Sequence, residues 1–176
     1  MSHPTLWGPV LWHVMLACAH ACPPSKVALL WRVVSEWIPQ LLPCAECRGN
    51  YAGHAAKLHR RMGKDPSSGD EIFRWIWMLK EEVTKSLKPR NRPTTSISLE
   101  LLRNRYEFRG GPSGGGGAQS AGLVDDVALA DVLVILALHA TLPSRQREDV
   151  FLEVCRALGH LLPVASDAEI IRGFRM

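Results

Sequence analysis

The residues best equipped for chemistry are Pro43-Cys44-Ala45-Glu46-Cys47. Two cysteines three apart at a helix start bring both sulfurs within disulfide reach. The unpaired N–H groups and the dipole of that helix start favour thiolate at Cys44. A thiolate is the species that attacks disulfides or passes electrons on, so dithiol redox chemistry at Cys44 and Cys47 is the leading expectation. Two plainer readings stand beside it. The pair could staple a turn or be two buried thiols, or it could join His54 and His59 in a C-x2-C-x6-H-x4-H zinc site, with a shorter interval than zinc fingers use. Cys18 and Cys22, four apart on one helical face, and Cys155 read as buried thiols, because a disulfide within one helix is geometrically awkward. Five cysteines including a CxxC do not make the disulfide framework of a small secreted domain.

The elements that must position the pair read as helices. Leu6 to Ala21 is apolar almost all round, as a buried helix is. After Pro23-Pro24, Val27, Leu30, Val34, Ile38 and Leu41 recur at helical spacing, with Trp31 and Trp37 beside the stripe, until Leu42-Pro43 stops the run. A third helix starts at the CxxC and runs through Tyr51 to about Met62. Ser68 with Glu71 is a capping-box signature, and Ile72, Trp75, Leu79, Val83 and Leu87 then form one face of a fourth helix ended by Pro89. Four such helices with short turns predict an antiparallel bundle, and no strand pattern competes.

The chain has 176 residues, enough for one domain or two small ones. All six tryptophans lie before residue 90. Residues 91–122 are rich in arginine and glycine, with Gly110 to Gly117 nearly pure glycine, and read as a linker in which Ser98 to Phe108 is apolar enough to dock. Residues 123–176 resemble the start of the chain. A shift of 120 positions lays Val134, Leu136, Ala137, Pro143, Val154, Leu161, Leu162, Pro163 and Ala165 on Val14, Leu16, Ala17, Pro23, Val34, Leu41, Leu42, Pro43 and Ala45. This predicts a degenerate repeat whose CxxC position reads Val164-Ala165-Ser166-Asp167. A net charge of +4 is too weak to argue for nucleic acid, and the linker arginines read as a solvated run. No apolar run reaches membrane-span length, Val127 to Leu138 being short and interrupted by Asp131. No secretory signal is expected at the N-terminus.

Three blocks together resemble the Erv/ALR family of FAD-linked sulfhydryl oxidases. Trp7-Gly8-Pro9 with Trp12 is similar to its WGPxxW opening, and Leu42-Pro43-Cys44-Ala45-Glu46-Cys47-Arg48 to its active-site PCxxCR. Pro66-Ser67-Ser68, then Trp75, then Val83-Thr84-Lys85-Ser86-Leu87-Lys88-Pro89 resembles its fourth helix, W…HNxVNxxLxKP. The blocks keep the family's order and spacing over residues 7 to 89. Several large DNA viruses encode divergent members. The chain departs from the family pattern at its helix-one histidine, which is Leu16 here, at its HN pair, which is Lys80 and Glu81, and at its second asparagine, which is Thr84.

The resemblance implies an all-α fold, a four- or five-helix bundle over residues 1–90 followed by the linker and the degenerate repeat. It implies catalysis by Cys44 and Cys47, with a substrate dithiol meeting Cys44 and electrons passing from Cys47 to FAD and then to O2, giving hydrogen peroxide. Gly8, Pro9, Trp12, Leu16, Tyr51, Trp75, Lys80, Thr84 and Lys88 are the positions it assigns to the cofactor. Partners would be thiol-bearing client proteins, reached without a second shuttle cysteine pair, together with a homodimer or an intrachain pseudo-dimer through the first two helices. For a viral member the setting would be host cytoplasm, nucleus or virion. The competing expectation is a non-catalytic helical scaffold or a zinc-stapled module built on the same fold.

Overall fold

The structure, a computed structural model, describes residues 4–87, 97–107 and 145–161. Within them the chain is helical and contains no strand. Lys88, the Gly-rich run and residues 123–144 lie outside the described residues, as does the second-copy CxxC position.

Helix α1 spans Pro4–His20, with proline at its first position, where a missing N–H costs nothing. Pro9 lies inside the helix on its exposed side. Trp7, Leu11 and the run from Val14 to Ala19 are all buried, so the helix is enclosed as its apolar circumference predicts. It ends earlier than the sequence suggests. Ala21 N–H still makes an α-type bond to the Ala17 carbonyl at 3.0 Å, and the chain then tightens as Cys22 N–H turns to the Ala19 carbonyl at 3.4 Å. Cys22 therefore stands past the helix rather than on one helical face with Cys18.

A short 3-10 turn, Pro24–Lys26, leads into a rod whose sequence stripe predicts one continuous helix. The rod instead changes register twice: α2 spans Val27–Arg32, a π-turn spans Val33–Trp37, and α3 spans Ile38–Leu41. Pro39 supplies the physical reason. In α register it has no N–H to offer the Ser35 carbonyl, and its ring would press on that carbonyl. The extra residue of the π-turn relieves the clash, and Ile38 N–H reaches back to the Val33 carbonyl.

Helix α4, Ala45–Met62, carries the CxxC at its start and closes on Gly63, whose φ of 71° suits only a residue without a β-carbon. Helix α5 spans Gly69–Leu87. Ser68 Oγ accepts the Glu71 N–H at 3.1 Å, which is the forward half of the expected box. The return bonds go one residue further back, to Ser67 N–H at 2.6 Å and Ser67 Oγ at 2.8 Å. Gly69 allows α5 to start against α1, because a β-carbon there would lie 2.6 Å from the Ala19 carbonyl oxygen.

The main layers are α1 on α5 and α4 on α5, with α3 against α4. Ile72, Phe73, Trp75, Ile76 and Leu79 of α5 are buried between them. Helix α6, Leu99–Glu107, buries Leu102 and is tied to α5 by the Trp77 Nε1–H bond to the Ile97 carbonyl at 2.8 Å and the Arg103–Asp70 ion pair. The Ser98 to Phe108 piece thus docks where it is described. Helix α7, Arg145–Leu161, packs on α2, the π-turn and α3 through buried Val154, Ala157 and Leu158. An apolar cavity of about 10 Å³, room for a single water at most, lies among α1, the α2–α3 rod and Leu158. No described helix is long and apolar enough to cross a membrane.

Candidate functional site

Cys44 caps α4. Its backbone is extended, with φ −102° and ψ 129°, and its Sγ accepts the Cys47 N–H at 3.1 Å. Sulfur here takes the place that serine or aspartate oxygen usually fills, satisfying one of the unpaired N–H groups of the first turn. The turn places Cys47 directly after Cys44 around the helix axis, with Cys47 packed against the core and Cys44 outside that cluster. Both are free thiols. Burial, then the hydrogen bond and charge of Cys44, then the charge of Glu46, push the Cys47 thiol up to about 12. The pair is thus asymmetric, and its inner sulfur holds its proton.

Two side chains just beyond the pair tie α4 to the preceding rod. Arg48 Nη1 donates to the Leu42 carbonyl at 2.7 Å, closing the turn that contains Pro43. The buried Tyr51 hydroxyl donates to the Val34 carbonyl at 2.7 Å and lies 3.9 Å from Met15 Sδ. The Tyr51 ring stacks on Trp12 of α1, with centroids 6.1 Å apart and planes 11° from parallel. Trp75 of α5 is 1% exposed and meets Trp31 edge-on at 4.9 Å.

The structure therefore brings Trp12 and Tyr51 together one helical turn from Cys47, on the bundle that buries Trp75. Leu16 is buried, at 2% exposure, and offers only hydrocarbon. Gly8 is half-buried and Pro9 exposed, both near the start of α1, and neither bears a polar side chain. Lys80 and Thr84 are half-buried along α5. Trp31 and Arg48 were not assigned to the site from the sequence. The signal for Trp31 was its place beside the apolar stripe, and for Arg48 its adjacency to Cys47.

A flavin needs an aromatic or apolar surface for its ring and donors for its acceptor atoms. Trp12, Tyr51, Trp75 and Leu16 supply the first. For the second, Trp75 Nε1–H is buried without a hydrogen-bond partner among the described residues, an unmet donor that a bound acceptor would satisfy. Lys80 and Thr84, five and nine residues further along α5, lie on the other side of that helix from Trp75. The aromatic surface and this one unmet donor are what the structure offers a planar heteroaromatic group. Among the described residues no group of three or more histidine, cysteine or acidic side chains could hold a metal ion. His59 instead stacks on Trp31 and approaches Asp65 Oδ1 at 3.7 Å.

No protein-family model, curated protein or solved structure matches this chain.

Proposed function

We propose that the chain is an FAD-linked sulfhydryl oxidase that forms disulfides in client proteins through Cys44 and Cys47. The observation that carries this reading is the cysteine pair at the start of α4, its outer sulfur accepting the Cys47 N–H and its inner sulfur half-buried against the core. In the oxidised state a client thiolate attacks Cys44 Sγ, the Cys44–Cys47 bond breaks, and Cys47 leaves and takes up a proton. Its burial favours that protonated form. The client's second thiol then displaces Cys44, so the client loses two electrons and two protons and the pair gains them. Bound FAD would supply the acceptor for those electrons and pass them to O2, giving hydrogen peroxide. Trp12, Tyr51 and Trp75 are the residues that would hold its ring, and Trp75 Nε1–H would donate to it.

Helix α7 supports the intrachain pseudo-dimer over the homodimer. Val154 and Leu158, which the 120-residue shift lays on Val34 and Ile38, are buried with them against the α2–α3 rod. A repeat that packs on its own counterpart fills the face a second chain would need.

The test begins with the visible spectrum of purified protein. Flavin absorption is expected, together with hydrogen peroxide release from a dithiol that Cys44→Ala abolishes. A colourless protein that added FAD does not reconstitute, with Cys44→Ala indistinguishable from wild type, would sink the oxidase and leave a helical interaction protein.

A further inference from the structure

The π-turn leaves a carbonyl without a backbone donor. In α register the Val34 carbonyl would accept Ile38 N–H, but that group is committed to Val33. In π register the donor would come from residue 39, which is proline and has none. Val34 is fully buried, so an unpaired carbonyl there would carry its full desolvation cost. The Tyr51 hydroxyl meets this need at 2.7 Å. Tyr51 stands one turn beyond Cys47 on α4, and its ring is held on the other side by Trp12. The first turns of α4 are thus fixed by one buried phenol to a point that Pro39 creates in another element.

Building on the redox reading of the site, we propose that Tyr51 is a positioning residue whose hydroxyl, bonded to the π-turn carbonyl of Val34, sets how deeply Cys47 is seated beside Cys44. The phenol does not touch the reacting sulfurs. It acts through the orientation of α4, as Arg48 does at the preceding turn. The rod breaks register for Pro39, and the buried carbonyl this frees becomes the reference point for the redox pair.

The experiment labels the fully reduced protein with a thiol alkylating agent across pH and reads the Cys47-to-Cys44 ratio by mass spectrometry. Tyr51→Phe keeps the ring on Trp12 and removes only the donor. Loosening α4 exposes Cys47, and its labelling at pH 8 is expected to rise by roughly threefold or more relative to Cys44. Ser35→Ala is the control, since Ser35 Oγ donates to the Trp31 carbonyl at 2.7 Å, a bond that stays within the rod. It should lower stability and leave the ratio alone. An unchanged ratio in Tyr51→Phe, or an equal change in Ser35→Ala, overturns the proposal. Should Tyr51→Phe fail to fold, 3-fluorotyrosine incorporated in a Tyr106→Phe background leaves Tyr51 the sole site of substitution. Fluorine makes the phenol a stronger donor, so the ratio should fall, and no movement overturns the proposal. Labelling requires neither flavin nor turnover. A colourless protein with a shifted ratio would therefore remove the oxidase and keep the positioning role.

Discussion

Glu71 shows how one side chain does two jobs at a helix start. Its N–H is capped by Ser68 while its carboxylate accepts from Ser67 N–H and Oγ, with Lys64 Nζ 3.4 Å away. The bonds to Ser67 first, then Lys64, hold its carboxyl below the usual value of 4.5. A carboxyl lowered in the folded state adds stability above its unfolded value, and that contribution is lost as pH falls through the folded value. Acid titration of thermal unfolding should therefore show a decline below about pH 4.5 that is shallower in Glu71→Gln. The capping signature was legible because serine and glutamate at this spacing have one efficient geometry. Its shift to Ser67 was not, since two adjacent serines offer equivalent donors. At the cysteine pair, residue types and spacing are what suggest the proposed redox chemistry. The unequal seating of the two sulfurs was hidden, because burial of Cys47 comes from helices distant in sequence.

At the scale of elements, the α1–α5 crossing is set by Gly69. With the Ala19 carbonyl oxygen 2.6 Å and the Cys22 β-carbon 3.0 Å from where its own β-carbon would stand, any side chain must move backbone. Gly69→Ala should destabilise the protein by about 1–3 kcal/mol in chemical denaturation, the range for overpacking a tight contact. Helix α4 was legible from end to end, as Ala45–Met62 between a proline and a glycine. The α2–α3 rod was legible as a helix but not in its register. Its apolar stripe survives a π-turn, since one inserted residue rotates the later positions without removing them from the core. Ile38 and Leu41 remain buried beyond the break. Pro39 was the only signal of that break, and so close to Leu42-Pro43 it reads equally well as the approach to the end of the helix.

At the scale of the whole molecule, the question is whether residues 145–161 belong to the same cooperative unit as the bundle. Leu158 is buried against the α2–α3 rod and lines the apolar cavity there. Leu158→Ala should cost about 2–5 kcal/mol and shift a single unfolding transition seen equally by tryptophan fluorescence and circular dichroism. All six tryptophans precede residue 90, so fluorescence that ignores the substitution would mean two independent units. The helical class and the presence of a second helical segment could be read from periodicity. Which face that segment covers could not, because an amphipathic stripe names no partner. The thiols that folding shields bear on more than the proposed chemistry. Folding pushes Cys18 up to about 12 and Cys155 to about 11, chiefly by removing them from water, alongside Cys47. In the unfolded chain all five sulfurs would be equally open to oxidation. The native bundle sorts them, packing Cys18, Cys22, Cys47 and Cys155 in or against the core while Cys44 stands outside it. Correct pairing is thus a matter of timing: the chain has to fold before it meets an oxidant, and a preparation recovered from denaturant should stay reduced until the helices have closed.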